Sequence, residues 1–121
     1  ALDALHVLLS ADAQGEFPRA QAAAEKNSRS VAALEDARRE AARGWAQLGA
    51  ERLAAERDQP AREALEKALS LDPANTDALF NLMLLERLEG RDLEALRLAR
   101  LLVQRMPDDV LARKHLEELS A

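Results

Sequence analysis

Apolar residues recur along residues 42–109 at the spacing of amphipathic helices. In the first half of this segment, Trp45, Leu48 and Leu53 form one stripe, and the segment Asp58-Gln59-Pro60 follows it. An Asp cap with a Pro in the first turn is typical of a helix start. A second stripe then runs to Asp72-Pro73, where a helix is expected to end. Its members are Ala61, Leu65, Ala68 and Leu69. The pattern predicts two antiparallel helices.

The same pattern returns after 34 residues. Pro73 and Pro107 are separated by this distance, and the offset pairs Trp45 with Leu79. The second unit is predicted to have helices at 77–89 and 93–105, with a turn at Gly90. Residues 110–120 continue the apolar register and would cover the last hairpin, as the end of a stack of repeats requires. The predicted boundaries are 42–75 and 76–109 for the two units and 110–121 for a capping helix.

The first third of the chain is less regular. Residues 2–14 and 19–26 suggest the two helices of a degenerate hairpin, and Ser30 could cap the next helix. From there apolar steps continue through Gly44, which favours one helix over 31–57, about 40 Å long. A break near Gly44 is the alternative, because a glycine inside a helix costs about 1 kcal/mol. Residues 1–41 are thus predicted to be a degenerate hairpin plus an extension of the long helix, within one domain overall.

The composition supports an all-α chain and limits the classes of partner that the chain is expected to bind. Ala, Leu, Glu and Arg dominate, while aromatic residues make up 2%. The net charge of −5 disfavours nucleic acid and anionic membranes. No cysteine is present, and the apolar runs are too short to span a membrane, so no membrane insertion by this segment is expected. The start lacks Met and a signal-like region, which indicates a piece of a longer protein. Its Arg and Ala usage suggests a GC-rich bacterial genome. We expect a soluble segment, and the sequence leaves open whether its compartment is the bacterial cytoplasm or the periplasm.

Several residues together resemble the tetratricopeptide repeat signature at its spacing. They are Trp45-x-x-Leu48-Gly49, Ala61, Leu65, Ala68 and Pro73. Arg52 stands where that family has a tyrosine, and in the second unit Met83 and Leu102 replace small residues. The resemblance implies a right-handed α-solenoid of antiparallel helical hairpins with a C-terminal capping helix. It also implies a role in protein binding.

The sequence contains no recognisable catalytic or metal-binding motif. His6 and His115 are the two histidines, and neither has enough neighbouring ligands for a metal site. There is no Gly-rich phosphate loop and no nucleophile motif. Acidic residues instead pair with basic ones at helical spacing, as in Glu94 and Arg97, which is typical of a solvated helix face. We therefore expect no catalytic residues, no metal and no cofactor.

The resemblance also implies a concave groove lined by the first helix of each hairpin. The residues it places there are Arg43, Gln47, Asp77, Phe80, Asn81, Leu84, Arg87, Lys114 and His115. Phe80 either anchors a partner or packs under the terminal helix near Leu111. Ala46 and Ala50 replace the Lys and Asn of the family's carboxylate clamp, so a charged tail is not the expected ligand. A groove of this composition suits an apolar segment or a helix.

The predicted function is that of a non-catalytic scaffold or adaptor. It would hold a peptide or helix of a partner protein in the groove, as part of a bacterial assembly, secretion or envelope system. Two alternatives remain open at this point. The chain could be a self-association module of a larger protein, pairing through the long helix or the Ala-rich N-terminal helix. It could also be a regulatory domain of a larger enzyme.

Overall fold

The computed structural model describes residues 16–121 as five helices without a strand. They are α1 (Glu16–Ala54), α2 (Asp58–Leu71), α3 (Thr76–Leu88), α4 (Asp92–Arg105) and α5 (Val110–Ser120). This part of the chain is all-α, as predicted. None of its helices combines the length and the apolar character needed to cross a membrane. The helix predicted at 2–14, and with it His6, lies outside the described residues.

The chain divides into two units, Ala1–Ala37 and Arg38–Ala121. In the first unit every residue from Ala20 onward is exposed, including Val31 and Leu34. The second unit holds the buried core. Both candidate groove surfaces described below belong to this second unit.

Helix α1 passes without interruption through Gly44, as the apolar pattern favoured. The separate helix predicted at 19–26 is wrong, because α1 begins at Glu16 and includes that segment. Ser30 does not cap a new helix. Its hydroxyl donates to the Lys26 carbonyl at 3.0 Å, one turn back in the same helix. The sequence between Lys26 and Val31 contains no Gly or Pro, so nothing in it stops the helix.

Helix boundaries in the second unit recur at the predicted spacing of 34 residues. Helices α1 and α3 end at Ala54 and Leu88, while α2 and α4 both have 14 residues. The residues that stop and start the helices recur as well. They are Glu56 and Gly90, which have positive φ angles of 59° and 76°, and the N-caps Asn75 and Asp109.

The chemistry of these turns explains their positions. After α3, the Arg91 N–H donates to the Glu86 carbonyl at 2.8 Å and the Gly90 N–H to the Arg87 carbonyl at 3.1 Å. This is a Schellman ending, which needs a left-handed residue and favours glycine there. The caps act at the other ends of the helices. Asn75 Oδ1 accepts from the Ala78 N–H at 2.8 Å, which satisfies a donor that the first turn leaves open.

The core of the second unit lies between neighbouring helices. Helix α2 packs against α3, α3 against α4, and α4 against α5. Between α1 and α2 the approach is close at Gly49, where an added Cβ would lie 2.6 Å from side-chain carbons of Leu65. Many of the other buried residues are alanines, whose small side chains let neighbouring helices approach closely. The buried alanines are Ala42, Ala46, Ala61, Ala64, Ala68, Ala78, Ala95, Ala99 and Ala112.

Candidate partner-binding groove

Two surface depressions lie along α3 and contain most of the predicted groove residues. The first has a volume of about 440 Å³. Its lining residues are Arg43, Ala46, Gln47 and Ala50 from α1 and Asp77 and Asn81 from α3. The structure thus places four of the predicted site residues, two from each helix, around one concavity.

The first depression is the more polar of the two, and several of its polar groups already have partners. The Arg43 guanidinium pairs with Glu40 on the same helix. Asn81 donates its side-chain amide to the Asp77 carbonyl at 2.9 Å. Gln47 donates to Glu51 at 3.4 Å, a long and exposed contact. These exposed polar groups can exchange partners at little cost, because water competes for them already.

The second depression is largely apolar and has a volume of about 520 Å³. It is lined by Leu53 of α1, by Leu84, Arg87 and Leu88 of α3, and by His115 of α5. Three of these residues were predicted from the groove pattern. Sequence reasoning assigned Leu53 to the core stripe and did not single out Leu88. The four-residue spacing from Leu84 to Leu88 was the available signal, since it puts both side chains on one helix face.

Arg87 ties α5 to α3 at the rim of this depression. Its Nη1 donates to Nδ1 of His115 at 2.7 Å and to Oε2 of Glu118 at 2.8 Å. Burial, aided by the Arg87 charge, lowers the pKa of His115, which favours the neutral ring that can accept this hydrogen bond. The hydrogen bond from Arg87 also lowers the pKa of Glu118. The cluster therefore favours a neutral imidazole beside an ionised carboxylate.

Phe80 is half-buried and packs against the terminal helix. Its ring meets the His115 ring edge to face, with the centroids 5.6 Å apart and the planes at 80°. This contact favours the interpretation that Phe80 packs under the terminal helix. Its neighbour there is His115 and not Leu111, which is 57% exposed. An anchoring role for Phe80 stays a prediction.

Lys114 lies elsewhere. It borders a depression of about 330 Å³ with Val110, Arg113 and Glu117, all from α5. The structure therefore does not bring Lys114 into either depression along α3.

Metal ligands do not gather in the part of the chain that is described. Between residues 16 and 121, no group of three or more His, Asp or Glu side chains is arranged to hold a metal ion. Several acidic residues of this region instead pair with arginines, as Glu94 does with Arg97.

Neither a protein-family model nor a curated protein matches this chain.

Proposed function

We propose that residues 42–121 form a tetratricopeptide-like α-solenoid that binds a peptide or helix of a partner protein in the groove made by the two depressions. The proposal covers a scaffold or adaptor without catalytic activity, acting within a bacterial assembly, secretion or envelope system. The observation that carries it is that residues of α1 and α3 line both depressions, with His115 of α5 joining them at the apolar one. The recurrence of helix ends after 34 residues supports the repeat architecture.

Helix α3 contributes side chains to both depressions and so sets the direction of the groove. Asp77 and Asn81 border the polar depression, and Leu84 and Leu88 border the apolar one. The step from Asp77 to Leu84 is about 10 Å along the helix axis. A partner segment lying along α3 would therefore meet a polar surface at one end and an apolar surface at the other.

The apolar depression supplies the binding energy, and the polar groups supply orientation. Leu88 is 74% exposed and Leu84 is half-buried, so an aliphatic or aromatic side chain of the partner would remove their surface from water. Burying one such side chain contributes about 2 kcal/mol. Arg87, held by its hydrogen bonds to His115 and Glu118, offers N–H donors at a fixed position, which would set the register of the bound segment.

A matched pair of exposed leucines tests the groove. Helix-forming peptides would be selected from a displayed library on the whole chain, and their affinities compared for the Leu88→Asp and Leu93→Asp variants. Both leucines are exposed, at 74% and 86%, but Leu93 lies on α4 outside both depressions. We expect Leu88→Asp to weaken binding about tenfold or more, because it puts a charge into the apolar contact. Leu93→Asp should leave the affinity unchanged.

The circular dichroism of both variants should match that of the parent, since neither residue is in the core. Equal affinities of the selected peptides for the two variants would refute the groove as the binding site.

A further inference from the structure

A second surface, on α1, is open to solvent although its sequence pattern is that of a covered helix face. It consists of Ala41, Gly44, Trp45, Leu48 and Arg52, and the first four border a depression of about 270 Å³. Ala41 and Gly44 are exposed, while Trp45, Leu48 and Arg52 are half-buried. A Cβ added at Gly44 would meet no atom within 4 Å. We call these five residues the open face.

The corresponding residues of α3, found 34 positions later, are covered. They are Asn75, Ala78, Leu79, Leu82 and Glu86, which are 8%, 0%, 2%, 6% and 1% exposed. Glu86 forms an ion pair with Arg62 of α2, and α2 packs against α3. This face of α3 is therefore turned toward α2.

We propose that the open face of α1 binds an amphipathic helix of a partner protein, seated as α2 is seated on α3. The internal repeat identifies the occupant, because the equivalent face carries a helix whose composition is known. The buried residues of α2 are Ala61, Ala64, Leu65 and Ala68. A partner helix with alanines and a leucine at steps of three and four could approach α1 as closely, since small side chains permit short interhelical distances. This surface is separate from the groove of the proposed function.

The charge of the open face adds a requirement for the partner. Glu86 of α3 receives Arg62 of α2, but its counterpart in α1 is Arg52. Arg52 donates one hydrogen bond, to the Pro60 carbonyl at 3.0 Å, and no carboxylate of residues 20–121 forms an ion pair with it. The partner helix therefore carries an Asp or Glu at the position where α2 carries Arg62.

Trp45 provides a direct readout, because it is the sole tryptophan of the chain. The probes are two synthetic peptides with the sequence of Asp58–Leu71, cross-linked on the solvent side to keep them helical. One has the natural sequence and the other carries Arg62→Glu. Titrated into the whole chain, the Glu peptide should shift the Trp45 emission to shorter wavelength in a saturable manner. It should bind about threefold more tightly than the Arg peptide, as expected for a partly exposed ion pair.

Two variants assign the effect to the open face. Leu48→Glu should abolish the emission shift while the circular dichroism stays unchanged, because Leu48 is outside the buried core. Leu88→Asp, in the groove, should leave the shift intact, which separates this inference from the proposed function.

Three outcomes would overturn the inference. The first is the absence of a saturable shift, and the second is a shift that persists in Leu48→Glu. The third is a blue shift of Trp45 with rising protein concentration, together with a doubled mass in light scattering, because a second copy would then cover the face. Equal affinities of the two peptides would overturn the assigned charge of the partner.

Discussion

Replacing Arg62 by methionine tests how much the ion cluster between α2 and α3 contributes to stability. The side chain of Glu86 is 2% exposed and that of Arg62 13%. Arg62 Nη1 donates to Glu86 Oε1, and Nη2 donates to Glu89 Oε2 at 2.6 Å. Burial lowers the pKa of Arg62, but the hydrogen bonds to Glu86 and Glu89 outweigh it and raise the pKa above its ordinary value. Glu86 is thus buried, Arg62 is half-buried, and hydrogen bonds join the two side chains across α2 and α3.

The magnitude follows from what remains after Arg62 is removed. Glu86 keeps Arg91 as a charged neighbour, at 3.8 Å, but the side chain of Arg91 is 57% exposed. Removing one partner of a buried pair costs about 3–5 kcal/mol, and the remaining arginine places the cost near the lower end, at about 3 kcal/mol. That is a large share of the stability of a small domain, which is about 5–15 kcal/mol.

Replacing Glu86 in place of Arg62 should reduce the free energy of unfolding by less. Glu86→Leu leaves Arg62 paired with Glu89, so we expect a loss of about 1 kcal/mol. The double variant Arg62→Met with Glu86→Leu should lie within about 1 kcal/mol of the parent, because apolar side chains of similar size often replace a buried pair without loss. The expected order of stability is therefore parent and double variant first, then Glu86→Leu, then Arg62→Met.

Urea unfolding followed by circular dichroism gives the four free energies of unfolding and the coupling energy. The control is Arg97→Met, which breaks the exposed pair with Glu94, whose side chain is 44% exposed. It should cost less than about 0.5 kcal/mol. If Arg62→Met costs no more than this control, or if the double variant loses the sum of both single losses, the reasoning from burial is refuted.

Two pairs of substitutions have outcomes of opposite sign and one further substitution has a pH-dependent outcome, all of which thermal unfolding can measure. Gly49→Ala should destabilise the protein by about 1 kcal/mol, because the clash with a buried leucine of α2 exceeds the gain in helix propensity. Gly44→Ala should stabilise it by about 1 kcal/mol, since the added Cβ meets open space. Glu56→Gly should stabilise by about 1 kcal/mol and Gly90→Ala should destabilise by a similar amount, since both residues are left-handed; the same sign for both would contradict this. Because the pKa of His115 is lowered, its contribution to stability is complete above the ordinary pKa of about 6.5 and is lost as the pH falls through the lowered pKa. His115→Asn should therefore flatten this part of the dependence of stability on pH. An unchanged pH dependence would contradict the assignment.

The sequence predicts the positions of the turns well, because local chemistry determines them. The expected Asp58 cap is wrong, since Asp58 is the first residue of α2 and its N-cap is Arg57, without a side-chain hydrogen bond. Gly90 supplies the left-handed residue after α3, and Asn75 and Asp109 cap the helices that follow them. The predicted helices at 77–89 and 93–105 agree with α3 and α4 to within one residue at each end. The helix that starts at Glu16 was missed, because Ser30 in a helix interior and Ser30 at a cap look alike in sequence.

Contacts between residues that are distant in the sequence cannot be predicted from a local sequence pattern. Arg62 and Glu86 are separated by 24 residues, and Arg87 and His115 by 28. Glu94–Arg97 was expected from helical spacing and is present. The difference is physical: helical spacing brings residues three apart together on any helix, whereas a distant pair meets only when two particular helices pack. For the same reason the sequence places Phe80 near α5 without identifying His115 as its neighbour.

An apolar position in a repeat shows that a side chain suits a covered face, but it does not show that a neighbour is present. Trp45 and Leu79 occupy equivalent positions, yet Leu79 is 2% exposed and Trp45 remains half-buried. The difference arises because α2 packs against α3, while the open face of α1 has no counterpart of α2 among residues 38–121. Equivalent residues that differ in burial therefore mark where a repeat protein can accept another chain. Applied to this molecule, that criterion selects the α1 surface around Trp45 independently of the groove along α3.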